Sequence, residues 1–442
     1  MKPVDVGSLL DAGPWSGYQK LLVGVTALAI VLDGFDNQLL GIAILPLMGE
    51  WGAPRAAFAP VLAGGMIGMM VGGALGGLVG DRIGRRAALL ASVASFGALT
   101  ALTPLVDDVV ALGVLRFFTG LGLGGAMPNS AALASEYVPG RHRPFAVTLT
   151  IVCIPVGGTL AGLVGAQILP QFGWRVLFLV GGLVPLALAA VLWQMLPESP
   201  RYLARRQERW PELTTLLRRL GHDVPPDAAF SDAAEPSVAR ASPRELVAPG
   251  FRRDTLALSA SFFFCLLSVY VGINWVPSML AGAGFDVGVA SNGLAAFNLG
   301  GVAGATVGAL VMRRAGSRVT MLAMTAGAVA GAVVMAVVPL GAQPTLVVLA
   351  LLAWTGGLIN AVQTTMYALA AHVYPTAIRA TGVGTAVAVG RLGGVLSTYA
   401  GSWALDAGGP SQLFALLAVT MTVVLVALAS VRRHIPSHAW HS

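Results

Sequence analysis

Four ionisable side chains lie inside long apolar runs of the sequence. Asp33 and Asp36 follow Lys20 in the first such run, Arg116 lies in a later run, and Arg391 lies in one near the C-terminal end. If these runs cross a bilayer, each charge costs several kcal/mol, and residues that keep such charges usually serve a function. Carboxyl groups in that setting can carry protons, and guanidinium groups can bind carboxylates.

The two acids are spaced to act together. Asp33 and Asp36 are three residues apart, so they share one face of a helix. Two neighbouring carboxylates cannot both ionise at low cost, which suits one of them to proton transfer. We predict that Asp33 and Asp36 form a proton-coupling site, with Arg116 as a partner whose pairing depends on protonation. The alternative is a structural ion pair between the first span, which carries the two acids, and the fourth span, which carries Arg116.

Arg391 is a candidate anion-binding residue. Its own apolar run contains no acidic residue that would neutralise it. A guanidinium group offers a planar pair of donors that matches a carboxylate. We predict that Arg391 binds the carboxylate of a substrate; the alternative is packing against backbone carbonyl groups.

Polar and aromatic residues at helical spacing complete the candidate binding site. A small organic ligand needs an apolar wall with a few polar groups, and a polar stripe in lipid faces protein or water. The alternative for each polar residue is a hydrogen bond that packs two helices together. The predicted wall consists of Phe35 with Tyr270, Asn274, Trp275, Asn360, Gln363, Thr364 and Tyr367.

Depth along the helices places the charges at one level. Counted at about 1.5 Å per residue, Asp33 and Arg391 lie about 20 Å from one face of a bilayer, and Arg116 lies about 10 Å from the other. In a hydrocarbon core about 30 Å thick, these depths coincide. We therefore expect the four charged side chains to point into one water-accessible chamber.

The composition indicates that membrane-spanning helices hold these groups. The chain has 442 residues, of which 56% are apolar and 11% charged, whereas soluble domains carry about 25% charged residues. The expected fold class is an all-α membrane protein with twelve transmembrane helices of about 20 residues or more. The apolar runs are 20–45, 57–80, 87–106, 109–136, 144–168, 174–196, 254–280, 289–312, 319–340, 344–373, 378–402 and 411–431.

The Lys and Arg residues orient these spans. With the N-terminus in the cytoplasm, only Arg55 and Arg175 of the 27 Lys and Arg residues fall in outer loops. Cytoplasmic loops carry such an excess of positive charge. We therefore expect both termini in the cytoplasm and the protein in the inner membrane. The net charge of +7 is then a topological signal and does not indicate nucleic-acid binding.

Repeated turns divide the chain into two halves. Segment 77–86 is similar to segment 309–318, and two Pro and Arg pairs recur after the fourth and tenth runs. Repeats with the same orientation imply a pseudo-two-fold axis along the membrane normal, with the substrate site between the halves. The predicted units are a six-helix half at 1–196, a cytoplasmic loop at 197–253 and a second six-helix half at 254–442. In the loop we expect a short helix from Pro211 to Gly221, then a flexible linker through Pro225, Pro226, Asp227 and Pro236, and no chemistry.

Residues at the cytoplasmic ends of the helices are candidate gates. Asp81 is placed to accept hydrogen bonds at a helix N-terminus, Gly77 to let two helices approach, and Gly84 to form a tight turn. Glu136 is expected to pair with Arg141, Arg143 or Arg82. His372 matches Glu136 in the second half and is left without an assigned role. The predicted gating residues are Asp81, Arg82, Arg85, Glu136, Arg143 and Arg379.

Taken together, these motifs resemble the major facilitator superfamily. The Asp81 turn, Leu112 with Arg116, and the paired halves carry this resemblance. Within the superfamily, the segments similar to the aromatic acid:proton symporter family are 33–36, 120–129, 197–201, 273–277, 379–384 and 390–393. The resemblance to this family implies uptake of benzoate-, hydroxybenzoate-, vanillate- or phenylpropionate-type acids with protons, a ring that Phe35 could stack on, and carboxylate binding by Arg391.

The expected function is proton-coupled uptake of an aromatic carboxylic acid by alternating access. We expect a monomer in a lipid bilayer, without a cofactor, a metal or a nucleic-acid partner. The alternative is a proton-coupled symporter or exporter of another small organic anion or metabolite. A membrane-embedded enzyme would need clustered His ligands or a nucleophile with a base in the spans, and none occurs. A transporter-like sensor would need an appended soluble domain, for which no segment is long enough.

Overall fold

The computed structural model describes residues 3–225, 228–232, 245–246 and 248–437, and most of these residues are helical. Two short strands, β1 (Val4–Asp5) and β2 (Phe230–Ser231), form a parallel pair. The helices are α1 (Val6–Ala12), α2 (Gly17–Trp51), α3 (Ala59–Ile83), α4 (Arg85–Leu102), α5 (Val109–Tyr137), α6 (Arg143–Met195), α7 (Pro200–Ala204), α8 (Trp210–Arg219), α9 (Arg252–Gly282), α10 (Val287–Val337), α11 (Thr345–Val373) and α12 (Thr376–Ser430).

Nine helices in the described part of the chain are long and apolar enough to cross a membrane. Three of them, α6, α10 and α12, contain 51 to 55 residues. A straight helix of that length would measure about 75 Å or more, over twice the thickness of a hydrocarbon core. Each is interrupted by glycine in a non-helical conformation, so the chain contains about nine to twelve apolar helical segments.

The glycines at these interruptions permit a backbone that other residues rarely adopt. Gly173 has φ 75°, Gly316 has φ 77° and Gly409 has φ 61°. Positive φ costs glycine little because it has no β-carbon. Gly84 between α3 and α4 has φ 112°, which confirms the predicted tight turn.

Glycines also allow α3 and α5 to pack closely. A β-carbon at Gly68 or Gly72 would overlap the backbone of α5, and one at Gly120 or Gly124 would overlap the backbone of α3. Small residues at such crossings are typical of membrane helices. The prediction that Gly77 mediates a close approach is wrong, because a β-carbon there would meet no described atom within 4 Å.

The hydrophobic cores show how the two halves of the chain meet. One cluster combines side chains from both halves, including Leu47, Phe58, Trp275 and Leu405. A second cluster draws only on residues 4–230, and a third only on residues 246–431. The halves are therefore packed together at one end of the molecule. They have separate cores at the opposite end, which also carries the two ends of the described chain.

The N-terminal segment folds against the segment that follows α8. Val6 and Leu10 are fully buried in the core of the first half, and Phe230 joins the same core beside β1. The predicted short helix is confirmed as α8. The prediction of a flexible linker is wrong for residues 228–232, which include β2. Pro226, Asp227 and Pro236 lie outside the described residues.

Candidate functional site

A cavity of about 160 Å³ lies between the two halves. Its lining comes from α2, α3, α5 and α6 on one side and from α9, α10, α11 and α12 on the other. This volume is below the about 300–1,000 Å³ of pockets for drug-sized ligands, so it suits a molecule with a single ring.

Asp33 and Arg391 line this cavity from opposite halves. Asp33 on α2 is 4% exposed, and its Oδ1 atom has no hydrogen-bond partner among the described residues. Arg391 on α12 is close enough to interact electrostatically with Asp33. No carboxylate in the described part of the chain forms an ion pair with Arg391. The cavity therefore contains one acid and one guanidinium group, and each can bind a further partner.

Gly73 on α3 makes room for the Arg391 side chain. A β-carbon at Gly73 would lie 3.0 Å from Nη1 of Arg391 and 3.5 Å from the carbonyl oxygen of Gly124. The guanidinium group of the second half therefore reaches the crossing of α3 and α5 in the first half. An anion held by Arg391 would lie between the halves.

The predicted polar stripe of α11 does line the cavity. Asn360, Gln363, Thr364 and Tyr367 all face it, together with Tyr270 of α9. Asn360 also donates from Nδ2 to the carbonyl oxygen of Gly356 at 2.8 Å. Hydrogen-bond donors and acceptors are thus available along one wall for polar groups on a ring.

A second polar pair, which the sequence analysis missed, joins the halves at the cavity. Gln38 of α2 and Asn298 of α10 exchange two hydrogen bonds, with Nε2 to Oδ1 at 3.2 Å and Nδ2 to Oε1 at 2.8 Å. Both line the cavity. The sequence shows Gln38 as a polar residue two positions after Asp36 in an apolar run, which could have marked it as a candidate. It does not show that its partner is Asn298, 260 residues away.

Four methionines form much of the apolar wall. Met66, Met69 and Met70 on α3 and Met127 on α5 line the cavity. Methionine is flexible, and its sulfur makes favourable contacts with aromatic rings. Sequence reasoning could not select these residues, because methionine in an apolar run is as common in packed cores as in binding sites.

Asp36 and Arg116 form an ion pair outside the central cavity. The Arg116 Nη1 atom donates to Asp36 Oδ2 at 3.3 Å, and Thr100 donates from Oγ1 to Asp36 Oδ1 at 2.5 Å. The Arg116 guanidinium also lies 4.8 Å from the centre of the Phe178 ring. The prediction that all four charges share one chamber is therefore wrong: Asp33 faces Arg391, and Asp36 faces Arg116.

Two predicted wall residues are packed in the core instead. Phe35 is 6% exposed and Trp275 is fully buried, and both belong to the cluster shared by the two halves. The Trp275 ring lies against Gly401, where a β-carbon would overlap it. Asn274 lines a smaller chamber beside the central cavity and not the cavity itself.

At the end of the molecule where the cores are separate, Glu198 takes the role predicted for Asp81. Its Oε1 atom accepts from the backbone nitrogens of Arg86 and Ser199, both at 2.9 Å, at the start of α4 and α7. Asp81 instead pairs with Arg85 four residues later on the chain. The sequence analysis singled out the segment 197–201, which contains Glu198, but the sequence does not show that Glu198 contacts α4.

Among the remaining candidate gates, Glu136 has a different partner from those predicted for it. Glu136 accepts a hydrogen bond from the Ser199 hydroxyl, not from Arg141, Arg143 or Arg82. Arg143 forms an ion pair with Asp11 at 2.5 Å, and Arg379 donates from Nε to the Tyr374 carbonyl oxygen at 3.3 Å. The carbonyl oxygen of Arg82 accepts from Arg206 Nη2 at 2.8 Å. His372 is exposed. Asp81, Arg85 and Glu136 border a recess of about 520 Å³.

Long apolar helices around a cavity between two halves define a multi-pass membrane transport protein. Residues 26–398 match the family model of the Major Facilitator Superfamily. The chain therefore belongs to that superfamily, whose members are transporters and not enzymes.

Relatives in this superfamily carry aromatic acids. The chain is 35% identical to the gallate transporter of Pseudomonas putida, over 96% of this chain and 94% of that one. It is 34% identical to the 4-hydroxybenzoate transporter PcaK of Pseudomonas aeruginosa, over 99% and 97%. It is 33% identical to the 3-(3-hydroxy-phenyl)propionate transporter of Escherichia coli, over 84% of each.

Solved structures share the fold. The xylose transporter XylE of E. coli, in a partially occluded inward-open conformation, aligns with a TM-score of 0.72 at 18% identity over 93% of this chain and 97% of that one. A D-xylose-proton symporter aligns with a TM-score of 0.69 at 19% identity over 95% and 99%.

Proposed function

We propose that this protein takes up an aromatic carboxylate together with protons by alternating access. The observation that carries the proposal is the placement of Asp33 and Arg391 in one cavity between the halves. The relatives named as gallate, 4-hydroxybenzoate and hydroxyphenylpropionate transporters support the substrate class.

The proposed topology has twelve spans in two six-helix halves, with a cytoplasmic loop between them and both termini in the cytoplasm of an inner-membrane protein. Nine long apolar helices support it, because dividing three of them at their glycine breaks yields twelve segments. The excess of Lys and Arg in the loops and helix ends assigned to the cytoplasm supports the orientation.

In this topology the conformation is inward-facing. The end where both halves share one core becomes the outer end, and the end with separate cores becomes the cytoplasmic end. Arg55 and Asp406 bridge the halves at the outer end with an ion pair at 2.8 Å. Alternating access would separate this outer contact and bring the inner ends together.

Arg391 binds the substrate carboxylate in this proposal. Its planar donors match a carboxylate, and a carboxylate there would lie against the crossing of α3 and α5. Bound substrate would therefore contact both halves at once. That geometry favours a carrier whose halves move around a central ligand.

Asp33 couples the carboxylate to a proton. An ionised Asp33 repels an incoming carboxylate and competes with it for Arg391, whereas a protonated Asp33 does neither. Proton binding therefore raises substrate affinity, and by thermodynamic linkage substrate binding favours protonation to the same degree. Asp36, paired with Arg116, is proposed as a second proton site next to this one.

The ring lies between the methionine wall and the polar stripe. Met66, Met69 and Met70 supply contacts to its faces and edges. Tyr270, Gln363 and Tyr367 supply partners for ring hydroxyl groups. At the cytoplasmic end, Asp81, Arg82, Arg85, Glu136, Arg143 and Arg379 are proposed to adjust the inner gate.

Purified protein in liposomes tests this function. We expect an inward proton gradient to drive accumulation of at least one labelled acid among benzoate, 4-hydroxybenzoate, gallate and 3-(3-hydroxyphenyl)propionate, and a protonophore to abolish it. Cyclohexanecarboxylate, which has the carboxylate but no aromatic ring, is the matched control and should accumulate less. Uptake that ignores the gradient, or that prefers the non-aromatic acid, would favour a carrier of another organic anion.

A further inference from the structure

A small chamber lies beside the central cavity and borders Arg116 of the Asp36–Arg116 ion pair. It has a volume of about 30 Å³ and is lined by Arg116 and Thr119 of α5 and by Asn274 of α9. Asn37 and Tyr270 line both this chamber and the central cavity. Asp33 lines the central cavity, whereas the chamber meets the second acid site at Arg116, the ion-pair partner of Asp36.

Two buried donors at the chamber have no protein partner. Arg116 is 5% exposed and Asn274 is 4% exposed. The Nε atom of Arg116 and the Nδ2 atom of Asn274 make no hydrogen bond within the described residues. An unsatisfied buried donor costs about 1–3 kcal/mol, so both nitrogens favour an occupant that accepts hydrogen bonds.

Water fits this chamber better than the substrate does. A buried water needs about 10–15 Å³ and two to four polar partners, so the chamber has room for about two. A water oxygen can accept from both unpartnered nitrogens. An aromatic ring does not fit, because the whole chamber is a fifth of the volume of the central cavity.

We propose that the chamber binds water and forms the route by which protons pass between the central cavity and Asp36. The inference rests on the proposed function. The Tyr270 hydroxyl both donates and accepts, so it can join cavity water to chamber water. A proton that enters from the cavity moves along this chain to the chamber wall at Arg116. It reaches the buried Asp36 carboxylate as the ion pair opens, and the neutral carboxyl group then no longer attracts Arg116. The same proton leaves when the transfer runs in reverse, so the balance needs no further reactant.

Blocking the chamber should separate proton coupling from substrate binding. Asn274→Leu removes one donor and fills the space, and Thr119→Ile fills it from the opposite helix. We expect each to lower gradient-driven accumulation about tenfold or more, as for a lost proton-transfer group. Exchange of labelled for unlabelled substrate without a gradient needs no net proton movement and should stay within about twofold of the wild type.

Two variants control for simple damage to the helix. Asn274→Ser keeps a polar group and leaves space for water, so it should retain accumulation. Ser278→Ala lies one turn further along α9, where the Ser278 hydroxyl is also buried without a partner but lines neither cavity. It should behave as the wild type.

Normal accumulation by both Asn274→Leu and Thr119→Ile would overturn the water route. A parallel loss of exchange in both would also overturn it, because these residues would then contact the substrate. Failure of the proposed function itself is distinguishable: the wild-type protein would then show no gradient-driven accumulation, whatever residue occupies position 274.

Discussion

At the scale of single residues, the four membrane-embedded charges divide into two pairs. Asp36 and Arg116 form an ion pair, whereas Asp33 and Arg391 face one cavity without a direct ion pair. Asp36 already neutralises the charge of Arg116 within one half, so Arg116 has less attraction than Arg391 for an external anion. The carboxylate of a substrate is therefore expected at Arg391 and not at Arg116.

Arg391→Lys should weaken substrate binding. Lysine keeps the charge but lacks the planar pair of donors, so a bidentate contact becomes a single one. We expect the half-saturation concentration for an aromatic acid to rise about tenfold, which corresponds to about 1.4 kcal/mol. Initial-rate uptake measures it. Arg314→Lys on the exposed surface of α10 is the matched control, and equal affinities for the two variants would count against a carboxylate site at Arg391.

Several cavity residues could be predicted from the sequence, but direction around the helix axis could not. Charge within an apolar run correctly selected Asp33 and Arg391, and polar residues at helical spacing correctly selected the α11 stripe. Residues three apart differ by about 60° around a helix, which suffices to point Asp33 at the cavity and Asp36 at α5. The predictions for Phe35 and Trp275 were wrong for the same reason, because apolar spans carry no amphipathic pattern that would show which way these side chains point.

At the scale of helices, the close crossing of α3 and α5 positions Arg391 through Gly73. In Gly73→Ala the new β-carbon would lie 3.0 Å from the guanidinium nitrogen, so that group must move. We expect the half-saturation concentration to rise about threefold while the maximal rate changes less, which is the signature of altered binding. The kinetic constants come from uptake measured over a range of substrate concentrations.

The matched control for this prediction is Gly64→Ala on the same helix. A β-carbon at Gly64 would make only an ordinary contact of 3.7 Å with the Gly113 carbonyl oxygen. In an Arg391→Lys background, Gly73→Ala should cost no further affinity, because residues that act through one group are not additive. A full additive loss in that background would show that Gly73 affects helix packing and not Arg391.

Apolar runs predicted the helical segments well, but not how neighbouring segments connect. The runs 144–168 and 174–196 are two segments that meet at a kink at Gly173, and 289–312 and 319–340 are two segments that meet at a kink at Gly316. Run length identifies membrane segments because the bilayer sets it. The sequence does not show which short connection is a loop and which is a single glycine within a helix, since both are brief interruptions in hydropathy.

At the scale of the whole molecule, the structure has one closed end and one end with separate cores. The shared core at the closed end is extensive, whereas the Arg55–Asp406 ion pair there is partly exposed. Exposed ion pairs contribute about 0–1 kcal/mol. The closed end is therefore held mainly by apolar packing, and the ion pair adjusts its stability.

Disrupting this ion pair should favour opening of the closed end by a small factor. For Arg55→Ala or Asp406→Asn we expect the ratio of open to closed forms to rise up to about fivefold. Spin labels on the closed ends of the two halves report the distance distribution. The exchange of both charges in Arg55→Asp with Asp406→Arg should restore the closed form; a distribution unchanged in both single variants would mean that the pair has no role there.

Contacts between distant parts of the chain lay beyond the sequence analysis. The pairing of β1 with β2 and the contact of Glu198 with α4 join residues more than 100 positions apart. Repeats and charge patterns report local structure and topology, and they do not show which surfaces meet. These contacts give the N-terminal half a folded cytoplasmic face in the proposed orientation.

The most direct test of the central claim is proton movement that accompanies substrate movement. In liposomes with an internal pH-sensitive dye and no imposed gradient, adding the transported aromatic acid should acidify the interior through the wild-type protein. Asp33→Asn cannot release the coupled proton, so it should exchange labelled for unlabelled substrate without acidification. Acidification by Asp33→Asn at the wild-type ratio of protons to substrate would contradict the account.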